Sequence, residues 1–240
     1  MHEEAALLGL TQEELHAFEL SLRVAAAATI AIIPPGVLLA WVLARSRVRG
    51  KLLIDVLVSA PLVLPPVVTG YFLLRLLGRN GLVGRILASW FGIHLAFSWE
   101  GAALASGVVA LPLLVRSARV ALAGVDRRLE DAAITLGAGH MRVFFGVTLP
   151  LAMPGLVAGA VLGFARSLGE FGATITFAGN VAGETRTLPL AIYSYTQAPG
   201  GEAPAMRLAV LSVLISLAAL AASELLDRRL RARSERRGRL

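Results

Sequence analysis

Five stretches of this chain run for about twenty residues or more with few charges: 20–44, 52–77, 101–123, 151–178 and 206–226. A helix of that length spans the hydrocarbon core of a bilayer and satisfies its backbone polar groups internally. The expected fold class is therefore all-α, a polytopic membrane protein with about five transmembrane helices. A soluble alternative would have to hide apolar surface on every side of nearly every helix. With 240 residues, 56% of them hydrophobic and only 16% charged, the chain is too small and too apolar for that.

Prolines punctuate these stretches. Pro34-Pro35-Gly36 predicts a kink in the first span, and Pro61, Pro65 and Pro66 predict a bend in the second. Small residues in the third span permit close helix contact, with Pro112 inside it. Residues 1–19 form an acidic extracytoplasmic segment that lacks the basic start and cleavage site of a secretory signal, so it is expected to stay on the mature chain. Within it, Thr11-Gln-Glu-Glu14 has the spacing of a capping box that opens the first helix. Trp90, Phe91 and Trp99, between the second and third spans, sit where interface anchors are expected.

The net charge of +7 is not spread over a surface suited to nucleic acid. Arg45, Arg47, Arg49 and Lys51, then Arg116, Arg119, Arg127, Arg128 and Arg142, and finally the basic tail 227–240 fall in alternate connections. The positive-inside rule puts these in the cytoplasm and the N-terminus outside. The absence of cysteine removes disulfides and thiol chemistry, and four histidines without paired spacing give no metal motif. Beyond Glu170, Asp55, His94 and Glu100 little is available to build a membrane-embedded enzyme, and no inverted repeat suggests a self-contained secondary transporter.

One segment, 126–150, is too polar to span and too regular for a plain loop. Leu129 to Leu136 suits a short helix with Leu129, Ala132, Ala133 and Leu136 on one side; Asp126, Glu130 and Asp131 near its start oppose the positive end of the dipole. Gly137 and Gly139 allow a turn, and a second short helix is expected from His140 to Val147, ahead of a fourth span that Pro150 and Pro154 begin. In that span Gly155, Gly159, Gly163 and Ser167 form a stripe for close packing, against another helix or a second copy, or make room for a path. Arg166 and Glu170 lie one turn apart at membrane depth. They make either a structural ion pair or, with Ser167 and Thr174, an anion path. Pro65-Pro66 with Thr69 and Gly70 would expose backbone or hydroxyl groups to such a path, unless the prolines serve packing alone.

Asp131-Ala132-Ala133, Gly137, Val147 and Leu149-Pro150 fall at the spacing of the Glu-Ala-Ala, Gly, Ile and Leu-Pro pattern of binding-protein-dependent ABC importer permeases, which the chain resembles, with Asp for Glu and Val for Ile. The segments Ser59 to Tyr71, Gly78-Arg-Asn-Gly81, Gly169 to Thr174, Phe177 to Asn180 and Gly183 to Leu190 are similar to the molybdate branch; sulfate permeases share part of them, and molybdate and tungstate are not separated. The resemblance implies a type I importer permease of the cytoplasmic membrane, a homodimer with two ATPase subunits and an external binding protein for the oxyanion. It implies a coupling helix that docks on the ATPase through Glu130, Asp131, Ala132, Ala133, Leu136, Gly137, Ala138, His140 and Arg142. Pro65, Pro66, Thr69, Arg166, Ser167, Glu170 and Thr174 are the candidates for the translocation path. The chain carries no GxxxxGK[ST] phosphate loop, so ATP and Mg belong to the ATPase, and no cofactor is expected here.

Overall fold

The computed structural model describes residues 10–46 and 49–237, with side chains of the last helix as far as Ala222 and at Leu225. Glu3, Glu4, Arg47 and the basic side chains of the tail lie outside the described residues. In chain order the helices are α1 (Gln12–Arg45), α2 (Lys51–Val63), α3 (Pro66–Leu77), α4 (Leu82–Phe91), α5 (Trp99–Ala123), α6 (Arg127–Thr135), α7 (His140–Leu168), α8 (Gly172–Phe177), α9 (Leu188–Thr196) and α10 (Glu202–Arg237). No strand occurs among the described residues. Four helices, α1, α5, α7 and the Glu202–Ala222 part of α10, are long and apolar enough to cross a membrane, and α2 with α3 makes a fifth as a bent pair.

Helix α5 is the centre. Its neighbours α1 and α7 bury Ala40, Leu43, Val115, Ala118, Leu122, Ala152 and Leu156 together at one end. Toward the other end Leu20, Val24, Ala28, Ala102 and Ala103 form a second cluster. The alanines and glycines permit this closeness: a Cβ on Gly36 of α1 would lie 2.6 Å from Leu114 Cδ2, and one on Gly107 of α5 would lie 3.0 Å from Ile32 Cγ2. The expected capping box forms, with Thr11 N–H donating to Glu14 at 2.6 Å and Glu14 N–H donating to Thr11 Oγ1 at 3.3 Å. The buried Glu14 also pairs with Arg207 of α10 at 2.9 Å, which ties the start of the first helix to the start of the last. Arg23, a charge inside the first span, lies 3.8 Å from the centroid of the Trp99 ring. Trp99 therefore covers a cation, whereas Trp90 and Phe91 of α4 stand exposed.

Three expectations change. The second span is not a single bent helix: it breaks at Leu64-Pro65, and α3 turns 115° from α2. Its halves still reach opposite ends of α5. Asp55 pairs with Arg119 at 3.0 Å near the C-terminal end of α5, while Leu73, Leu74 and Leu77 pack with Ala105, Leu95 and Ala96 near its start. The fourth span does not run from 151 to 178, because α7 ends at Leu168 and a separate helix α8 begins at Gly172. Nor is there a free-standing second helix from His140 to Val147. That segment is the first part of α7, joined through a π-helical turn, Phe144–Thr148, in which Leu149 N–H bonds back to Phe144 O. Pro150 has no N–H to offer the preceding turn and crowds its carbonyl, and a widened turn just before it relieves both.

The small-residue stripe presses on α5 of the same chain and, at Gly163, on α1. A Cβ on Gly155 would lie 2.4 Å from Ala121 Cβ, one on Gly159 2.9 Å from Ser117 Cβ, and one on Gly163 3.5 Å from Ile32 Cδ1. Ser117 also donates to Gly155 O at 2.8 Å. Gly155→Val should therefore destabilise the detergent-purified protein by about 1–3 kcal/mol through overpacking. Gly146→Ala, where nothing stands within 4 Å, should not lower the unfolding temperature in the same assay.

Candidate functional site: a boundary helix and a broken-helix junction

Two groups of residues carry the chemistry-bearing positions, one at each end of α7. The first is α6. Asp126 caps it by accepting from Arg128 N–H at 2.9 Å. Its end is a Schellman turn, with Ala138 N–H bonded to Ala133 O at 3.0 Å, Gly137 N–H to Ile134 O at 2.9 Å, and Gly137 at φ +86°, a region that glycine enters without a Cβ clash. Gly139 keeps a negative φ, so Gly137 alone makes the turn.

The helix shows its apolar residues to the outside. Leu129 is exposed, Ile134 is exposed, and Leu136 at the tip is 89% accessible. Asp131, Ala132, Gly137, His140 and Arg142 are exposed as well, and Ala133 and Ala138 are half-buried. Of the four residues expected on one side, Leu129, Ala132 and Leu136 are exposed and Ala133 is half-buried. The inward side holds Ala133 and Glu130, whose carboxylate accepts from Thr148 Oγ1 of α7 at 2.6 Å and pairs with Arg45 at the end of α1 at 3.3 Å. The same guanidinium donates to Val125 O at 2.8 Å. Glu130 thus stands apart from the other residues expected to dock a partner.

The second group lies where the two helix breaks meet. Helix α3 packs on α8 so closely that a Cβ on Gly70 would lie 2.7 Å from Ala173 O, and one on Gly172 2.8 Å from Pro66 Cβ. Glu170, almost fully buried between α7 and α8, accepts from Ala173 N–H at 2.7 Å and pairs with Arg166 at 2.8 Å. Arg166 keeps 31% of its side chain accessible. The Thr174 hydroxyl is buried and donates to Phe171 O at 2.9 Å. Glu170 and Thr174 are therefore engaged in holding the break together. Thr69 Oγ1 and Ser167 Oγ are buried with no hydrogen-bond partner, and Pro65 is exposed at the break itself. The junction thus holds two hydroxyls and a partly accessible, ion-paired guanidinium, groups able to donate hydrogen bonds. No cluster of three or more His, Asp or Glu side chains suited to a metal ion occurs among the described residues.

A family model described as "Binding-protein-dependent transport system inner membrane component" matches residues 36–232. The chain belongs to this family. It is thus a multi-pass transport component of the inner membrane rather than an enzyme. The molybdenum transport system permease protein ModB of Escherichia coli K12 is 53% identical over 227 residues, covering 95% of this chain and 99% of the relative. Its counterpart in Mycobacterium tuberculosis is 48% identical over 200 residues, covering 82% and 75%. The sulfate transport system permease protein CysT of Salmonella typhimurium is 42% identical over 158 residues, covering 66% and 57%. Among solved structures, a chain of the MetNI methionine ABC transporter in an inward-facing conformation matches with a TM-score of 0.66 at 19% identity, over 96% of this chain and 99% of that one. A chain of a bacterial alginate ABC transporter matches with a TM-score of 0.73 at 17% identity, over 94% and 82%. At these identities the likeness is one of fold, and the fold is that of an ABC importer permease.

Within the family's matched segment, three participants escape a reading of the sequence: Arg45, Thr148 and the α8 helix. Arg45 looks like one more positive-inside arginine, and Thr148 like part of an apolar run. Only a carboxylate one residue ahead of the Asp-Ala-Ala motif signals that something on the bundle side awaits it. At the junction, Glu170→Ala and Arg166→Ala should each destabilise the purified protein. The double variant should lose at least about 1 kcal/mol less than the sum, as contacting charges do. Additive losses would mean that the two side chains do not act as a pair.

Proposed function

We propose that this chain is the membrane subunit of an ATP-driven importer that carries molybdate across the cytoplasmic membrane. The observation that carries this reading is 53% identity to a molybdenum permease over 95% of the chain, well beyond the matched motifs. Sulfate is the second reading, favoured only by the 42% identical relative over 66% of the chain. Tungstate, of nearly the same size and charge as molybdate, shares the first reading.

In this reading two copies of the chain form the path, two ATPase subunits bind ATP and Mg in the cytoplasm, and an extracytoplasmic binding protein delivers the oxyanion. The basic connections lie inside and the N-terminus outside. The outward side of α6 is the docking surface: Asp131, Ala132, Leu136, Gly137, Ala138, His140 and Arg142 present an apolar tip ringed by polar groups, the pattern of a partner site. Ala133 supports it from beneath. At the junction, Thr69 and Ser167 hydroxyls and the accessible part of Arg166 supply donors to a passing dianion. The carboxylate of Glu170 keeps that arginine from becoming a strong trap, which would slow release.

Reconstitution into liposomes tests the reading. Uptake of molybdate should require the ATPase subunit, ATP and the binding protein together, and no ion gradient should replace them. Gly137→Pro forces φ to about −65° where the Schellman turn holds +86°. That variant should insert at the wild-type level yet lose ATP-driven uptake. Normal uptake by it would contradict docking through this turn.

A further inference from the structure

The outer and inner sides of α6 do different work, and Glu130 belongs to the inner one. We propose that Glu130 is a positioning residue of the transport cycle, and that with Arg45 and Thr148 it clasps α6 to the ends of α1 and α7, so that displacement of α6 is delivered to both helices at once. This rests on the importer reading.

The geometry sets Glu130 apart from its neighbours. Its side chain is 18% accessible and that of Arg45 10%, whereas Asp131, next in the chain, is exposed. A carboxylate meant for a cytoplasmic partner should stand in water, as Asp131 does. Instead Glu130 Oε1 receives the Thr148 hydroxyl at 2.6 Å and the Arg45 guanidinium at 3.3 Å, and Arg45 also holds Val125 O at 2.8 Å. Four elements therefore meet at one carboxylate oxygen and one guanidinium: the last turn of α1, the connection before α6, α6 itself, and the π-helical turn of α7. Ala133, half-buried, lies on the same inward side. Charge-assisted bonds to partly buried groups are stiff and directional, which suits a joint that must move without slipping.

The test uses the full chain assembled with its ATPase in proteoliposomes. Glu130→Gln and Arg45→Gln should each retain the ATPase on purification at the wild-type ratio but move about tenfold less cargo per ATP hydrolysed, a loss within the usual range of coupling between sites. The double variant should be no worse than either single one. Loss of the ATPase from the purified Glu130→Gln complex would make Glu130 a docking contact and overturn the clasp, as would an unchanged ratio of cargo to ATP. Thr148→Val, which keeps both charges, should show a smaller loss of the same kind, and a wild-type ratio there would remove Thr148 from the clasp. A second measurement needs no ATPase. The chain has no cysteine, so a spin label at Ala132→Cys reports α6 alone in nanodiscs. Glu130→Gln should raise the label's mobility, and an unchanged spectrum would overturn the clasp. Failure of the importer reading would show differently, as absence of ATP-driven uptake by the unmodified protein.

Discussion

Backbone groups in hydrocarbon have no water to turn to, and every helix break must find partners within the chain. Two breaks of this chain, at Leu64-Pro65 and between Leu168 and Gly172, lie against each other. The close approach depends on glycine at Gly70 and Gly172, where a side chain would strike Ala173 O or Pro66. The N-terminus of α8 is met by Glu170, which accepts from Ala173 N–H, and the charge this introduces is met by Arg166. Each compensation creates the need for the next, so a polar junction follows from two interrupted helices. Thr69 and Ser167 are buried in the helices that flank the two breaks.

At the water boundary the logic reverses. Helix α6 has polar capping and an apolar outer side, so burial alone would not hold it to the bundle. A carboxylate on its inner side does so through Arg45 and Thr148. A partly buried ion pair adds little net stability compared with an apolar contact, but it specifies orientation, and removal of one partner leaves the other uncompensated. Orientation is what a surface needs if a second protein is to push on it.

Much of the bundle is legible in the sequence because hydropathy and helix length are local properties. The capping box at Thr11 and Glu14 and the cap at Asp126 are read from residues within a turn of each other. The ion pair Arg166–Glu170, one turn apart, is equally local. What escapes is relational. Thr148 and Glu130 are 18 residues apart and Arg45 and Val125 are 80 apart, with nothing in their neighbourhoods naming the partner. The glycine stripe of α7 announces close packing, but helical period alone does not say whether the partner is α5, α1 or another copy. The break before α8 hides in an apolar run, because Gly169 and Glu170 interrupt hydropathy too briefly to look like a helix end.

The continuity of α7 gives these pieces a common mechanical frame. Had His140 to Val147 been a separate short helix, a flexible joint would stand between the boundary helix and the membrane. Instead the helix from His140 to Leu168 is unbroken and, at 1.5 Å per residue, about 43 Å long. Its first turns follow the Schellman turn of α6, and its last turn carries Arg166 and Ser167 into the junction of the two breaks. The close contact of Gly155 and Gly159 with α5 lies between the two ends. The π-helical turn at Phe144–Thr148 is the one departure from α geometry along this rod, and it is held at Thr148 by the Glu130 carboxylate. That hydrogen bond joins the widened turn to α6 at the point where the rod departs from α geometry.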